Sequence, residues 1–259
     1  MSTRATRGPS IPWIVLCFAI AVPFGELVAL VVLVAVLRRS GLRFHDFVPS
    51  APTREQVIEA AWLGGLSFAL SFGAVWLIYS PLLWLAPESV SRWLLKELTY
   101  HGGPPWQVPL VILRYVLIGP VHAELIFRGL LLPRAVSKLG MTRGVALLSA
   151  IYAVLHLDVL GALIFAVVAA VLFLSTGNLA VSFVAHATCN LGVCLVGSRY
   201  ALWVGPAPGN GQIAMFNPDF VPAALLLFAV SSTLIARWTL SQGKELERRF
   251  APSCPSTTT

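Results

Sequence analysis

VPLVILRYVLIGPVHAELIFRGLLLP, residues 108–133, decides how this chain must fold. The stretch is apolar almost from end to end. At about 1.5 Å of rise per residue it is long enough to cross a hydrocarbon layer of about 30 Å as a helix. Yet it carries His122, Glu124 and Arg128 just after a Gly119-Pro120 step. Composition extends the same reading to the whole chain. Of the 259 residues 57% are hydrophobic and 11% charged, and the mean hydropathy is +0.81. A soluble protein of this size needs far more charge to cover its surface, commonly about a quarter of its residues. Lipid is the solvent that removes the requirement. The expected fold class is therefore all-α, a polytopic membrane helix bundle.

Working outward from residues 108–133, further apolar runs cover about 11–37, 57–86, 144–158, 159–176, 178–197 and 219–238, giving about seven transmembrane helices. Pro81 is expected to kink or end the second. Residues 87–107 read as an amphipathic interfacial helix and turn, and 198–218 as a loop. The tail from Gln242 is charged, then rich in Ser, Thr and Pro. No repeat and no second domain are visible. The chain divides into N-terminal spans and an interfacial segment (1–107), a core (108–197), and a loop, last span and tail (198–259).

Arg4 and Arg7, an apolar run and Ala19-Ile-Ala21 imitate a secretory signal. The run continues to Leu37, however, and is expected to remain as an uncleaved first span. With seven spans, eleven Lys and Arg residues fall on one side and five on the other. The positive-inside rule then predicts a cytoplasmic C-terminus and an external N-terminus. The net charge of +7 is assigned to these topology-setting loops. With no phosphate loop and no basic–aromatic repeat, a nucleic-acid partner is not expected. Cys17, Cys189 and Cys194 lie in apolar runs, and no pair has CxxC spacing. Neither a disulfide framework nor a thiolate metal cage is expected, and no cofactor is implied.

Ionisable groups at bilayer depth cost at least about 2.5–3.5 kcal/mol each on insertion scales, so they are functional candidates. Three spans carry them: His122, Glu124 and Arg128; then Tyr152-Ala-Val-Leu-His156; then His186-Ala-Thr-Cys-Asn190. Partners four residues apart share a helix face. Counted from the cytoplasmic ends, Glu124 lies about 15 Å deep, His156 about 18 Å, and His186 and Asn190 about 12–18 Å. Three helices thus deliver polar groups to one layer.

That layer suits hydrolysis of an amide inside the membrane. A carboxylate and a histidine can activate water, and a second histidine with an asparagine amide can stabilise the oxyanion. Arg128, one turn on, can hold Glu124 charged. Other readings stand beside this one. Glu124, His156 and His186 have the donor types of an open zinc site, whereas a transporter would spread polar groups through the full depth. Glu26 and Arg114 read either as a structural ion pair or as separate snorkelling and polar contacts. Tyr152 and Cys189 read as packing residues.

At these residues the chain resembles the CAAX-protease and bacteriocin-processing family of glutamic intramembrane endopeptidases. That family's Glu-Glu-x-x-x-Arg motif is similar to Ala123-Glu124-Leu-Ile-Phe-Arg128, its Phe-x-x-x-His to Tyr152–His156, and its His-x-x-x-Asn/Asp to His186–Asn190. The resemblance covers about residues 108–197. It implies a metal-free endopeptidase acting on a membrane-anchored protein or peptide in the lipid bilayer, with Glu124, His156, His186 and Asn190 catalytic and Arg128 and His122 supporting. Composition leans toward a bacterial inner membrane. The family's first glutamate is Ala123 here, which opens the alternative of an inactive pseudoprotease that binds or scaffolds membrane partners.

Overall fold

The computed structural model describes residues 9–86, 88–89, 107–156, 158–203 and 221–250. Among them the chain is helical, with no strand. An apolar environment leaves every backbone N–H and C=O to be satisfied within its own segment, and a helix does this. Helices α1 (Ile11–Phe24), α2 (Glu26–Arg39), the short α3 (Phe44–Phe47) and α4 (Arg54–Leu85) come first. One continuous helix is next, made of α5 (Gln107–Leu113), α6 (Gly119–Glu124) and α7 (Leu132–Leu139), joined by two π-helical segments at Arg114–Ile118 and Leu125–Leu131. Helices α8 (Met141–Val154), α9 (Val159–Thr176), α10 (Leu179–Trp203) and α11 (Val221–Phe250) complete the fold.

Among the described residues four helices are long and apolar enough to cross a membrane: Arg54–Ile78, Arg114–Leu139, Val159–Thr176 and Val221–Leu246. Shorter apolar helices cover Ile11–Ala21, Met141–Val154 and Leu179–Leu195. These segments match the runs expected from sequence, with differences at their ends. Helix α4 passes through Pro81, four residues before its end at Leu85. Helix α10 extends beyond 197 to Trp203, taking the first part of the expected loop, and α11 continues to Phe250. The expected interfacial segment, apart from residues 88–89 and 107, the rest of the 198–218 loop and the end of the tail lie outside the described residues.

The first run is not one span. It breaks at Gly25, whose backbone (φ 82°, ψ 159°) is favourable only for a residue without a side chain. Helices α1 and α2 pack on each other as a hairpin. Arg134 donates to the Pro9 carbonyl at one end (3.0 Å), and Arg114 pairs bidentately with Glu26 at the other (2.5 and 3.1 Å). Each arm is only about 21 Å long. The hairpin therefore brings the chain in at Pro9 on the Arg134 side, not on the opposite side as a single span requires. Arg38 and Arg39, at the end of α2, return to that same side.

Helix α4 is the central post of the bundle, with α9, α10 and α11 packed against it. Its approach to α10 depends on Gly64, where a Cβ would lie 2.3 Å from the Ala185 carbonyl oxygen. Small residues at such crossings let backbones meet in an apolar solvent. Helix ends on the Arg134 side are tied by side chains. Thr53 and Gln56 form a capping box at the start of α4 (2.9 and 3.3 Å). Asn178 caps α10 through Ala180 N–H (3.0 Å) while its amide reaches the Ser50 carbonyl (2.8 Å). These ties fix the depth at which α10 presents His186.

Candidate active site

Pro120 does not break the third span. The helix runs through it, because the missing N–H is absorbed by a wider turn. Gly119 N–H bonds the carbonyl of Arg114, five residues back, and beyond Glu124 a second π-helical segment closes with Leu132 N–H on the carbonyl of Phe127. Each π turn inserts an extra residue and re-aims the side chains beyond it, a common device at functional sites. Glu124 faces inward and is completely buried. Ala123, the neighbouring position, is only partly buried and packs against the apolar core.

Glu124 Oε1 accepts from Arg128 Nη1 (3.0 Å) and meets His186 Nδ1 (2.9 Å). Arg128 is itself 3% exposed and also donates to the Ala166 carbonyl (3.3 Å). The Ser182 hydroxyl approaches the same carboxylate. Oε2 nevertheless has no hydrogen bond of ordinary geometry among the described residues. Both partners of the ion pair are buried, so each makes the burial of the other tolerable. The sequence reading sets Arg128 beside Glu124 and couples the carboxylate with His156 in activating water. The structure pairs it with Arg128 and His186, because α10 brings His186 to the inward face of α6 while His156 lies past the end of α8.

His156 is exposed, in the bend after α8. Its Nδ1 lies 2.7 Å from the Tyr152 carbonyl oxygen, and its ring stacks on the Tyr152 ring (centroids 4.2 Å apart, planes at 25°). A carbonyl only accepts, so Nδ1 carries the proton. Neutral His156 therefore presents its Nε2 lone pair outward. Tyr152, read from sequence as packing, is the residue that joins the two histidines: its hydroxyl lies 3.3 Å from His186 Nε2.

Two expected members stand apart. His122 is buried but faces the α1–α2 hairpin, next to the Cys17 backbone and in the field of Glu26. Two helical positions separate it from Glu124, about 200° around the axis. Asn190 donates Nδ2 to the Tyr115 carbonyl (2.8 Å), within the first π-helical segment. It remains partly exposed and keeps a second amide hydrogen. Asp158, which sequence reasoning missed as a site residue, caps α9 through Gly161 N–H (3.0 Å) and so anchors the bend that holds His156. Its signal is visible in the chain: an Asp directly before an apolar helical run is an N-cap. No group of three or more His, Cys, Asp or Glu side chains among the described residues is arranged to hold a metal ion. The zinc-ligand set suggested by the residue types does not converge.

Residues 105–192 match the family model described as type II CAAX prenyl endopeptidase Rce1-like. Over that segment the chain is similar to this family. The match spans α6, both π-helical segments, α8, α9 and the part of α10 bearing His186 and Asn190, and with the long apolar helices it marks an integral membrane protein. No curated protein and no solved structure matches the chain.

Proposed function

We propose that the chain is an intramembrane endopeptidase that hydrolyses a peptide bond of a membrane-anchored protein or peptide. The observation that carries this reading is His156: exposed, with Nδ1 fixed as a donor and Nε2 left as a base, inside the family segment. His156 Nε2 takes a proton from water as the hydroxide oxygen bonds to the peptide carbonyl carbon. The same imidazolium then returns the proton to the leaving amine nitrogen as the C–N bond breaks, leaving a carboxylic acid and an amine. The free amide hydrogen of Asn190, at the same depth of about 18 Å, stabilises the oxyanion between these steps. Glu124 is enclosed by Arg128 and His186, so its part is to orient His186 rather than to meet water. The resemblance places water activation at the first glutamate, Ala123 here; moving it to Glu124, with His186 on the oxyanion, requires the cluster to open.

Ala123 favours a second reading, an inactive pseudoprotease that binds membrane partners. Reconstituted chain and its Ala123→Glu and His156→Ala variants, assayed on membrane-anchored reporter peptides, separate the two. The peptidase reading expects the unmodified chain to cleave, His156→Ala to be inert and Ala123→Glu to change the rate modestly. An inert parent with an active Ala123→Glu variant establishes the pseudoprotease. The positive-inside reading puts the cytoplasm on the Arg134 face.

A further inference from the structure

Tyr152 stands where the family motif has phenylalanine, and its hydroxyl is not idle. The phenol oxygen lies 3.3 Å from His186 Nε2. The Arg128 guanidinium carbon lies over the face of the phenol ring, 4.7 Å from its centroid. On the other side of the His186 imidazole, Nδ1 faces the Glu124 carboxylate at 2.9 Å. A carboxylate held by Arg128 only accepts, so Nδ1 carries the proton. With Nδ1 protonated, Nε2 of the neutral imidazole is an acceptor, so the groups form one directed chain: Tyr152 donates to His186, and His186 and Arg128 donate to Glu124. The same tyrosine stacks on His156 and offers its backbone carbonyl to His156 Nδ1.

We propose that Tyr152 is the positioning residue of this site, holding both histidines in one tautomer: its hydroxyl occupies His186 Nε2 while Nδ1–H meets Glu124, and its ring face and backbone carbonyl hold His156 with the Nε2 lone pair outward. The two halves of the role use different atoms. The hydroxyl sets His186, whereas the ring face orients the His156 imidazole on the Tyr152 carbonyl. Phenylalanine can do the second but not the first. The departure from the family residue therefore adds a donor beside a site whose first family glutamate is Ala123. The catalytic consequence rests on the peptidase reading; the tautomers do not.

The test uses full-length chain with ¹⁵N-labelled histidine in detergent micelles. In the unmodified protein both His156 and His186 are expected to show a protonated Nδ1 and an unprotonated Nε2. Tyr152→Phe should shift the His186 Nε2 resonance, which loses its hydrogen-bond donor, and leave His156 unchanged. Tyr152→Leu, which removes the ring face as well, should move both. If Tyr152→Phe leaves His186 unmoved, or disturbs His156 as much as His186, the proposal is wrong. In the cleavage assay Tyr152→Phe should lower kcat about 2–10-fold, the worth of one net hydrogen bond, with KM unchanged. A rise in KM at constant kcat would overturn the positioning role. An unmodified chain that cleaves nothing removes the peptidase reading alone, because the nitrogen spectra still decide for or against Tyr152.

Discussion

The polar layer has an inner and an outer part, and they are built differently. The inner part, Glu124, Arg128, Tyr152 and His186, is closed: all four are buried and linked by hydrogen bonds from Arg128 to Glu124, Tyr152 to His186 and His186 to Glu124, with one more from Arg128 to the Ala166 carbonyl. The outer part, His156 and Asn190, is at least partly exposed, and each residue commits one nitrogen to a backbone carbonyl, that of Tyr152 or Tyr115. A closed polar network in an apolar surrounding gives rigidity, whereas a half-used one keeps capacity for a reactant. Under the proposed peptidase reading, the first group orients and the second carries the chemistry.

Removing His156 should break the outer part most severely. His156→Ala is expected to lower the cleavage rate about 10²–10⁴-fold, the usual worth of a general base, while thermal unfolding in detergent stays near that of the parent. A comparable loss of melting temperature would return His156 to a structural role. The inner part should fail in the opposite way. Arg128→Met leaves the Glu124 carboxylate buried without its cation and should cost about 3–5 kcal/mol of stability. Arg128→Met combined with Glu124→Met should recover much of it. If the double variant is no more stable than the single one, the pair is not the element that holds the inner part.

A smaller effect is expected where α4 meets α10. Gly64→Ala places a Cβ 2.3 Å from the Ala185 carbonyl oxygen. It should cost about 1–3 kcal/mol as α10 shifts, and activity should fall with it if the depth of His186 matters. Asn190 gives the smallest stability change. Asn190→Ala loses one hydrogen bond to the Tyr115 carbonyl, about 0.6 kcal/mol between membrane helices. If its free amide hydrogen serves the oxyanion, however, the rate should drop far more than that figure implies.

The hairpin offers a separate check on topology. Cysteines introduced as Ser10→Cys and Ser137→Cys should be labelled by an impermeant thiol reagent from the same side of the membrane. Labelling from opposite sides would restore the single first span.

Composition and run length alone make the chain a membrane helix bundle and locate its spans, because burying unpaired backbone in lipid leaves few alternatives to the helix. The spacing of Glu124 and Arg128, and the depth of His156, His186 and Asn190, likewise place the polar layer without tertiary information. These are local or one-dimensional properties: a helix converts position in sequence directly into depth and facing. Sequence could not carry azimuth between helices. Whether Glu124 meets His156 or His186 depends on π turns that add a residue near Pro120, on Gly64 letting α10 close on α4, and on where α8 stops. The first run also reads like one span, since an apolar stretch looks the same whether straight or folded back. Gly25 permits the reversal, and Arg114 and Arg134 hold its two ends. Only contacts between segments far apart in sequence could decide it.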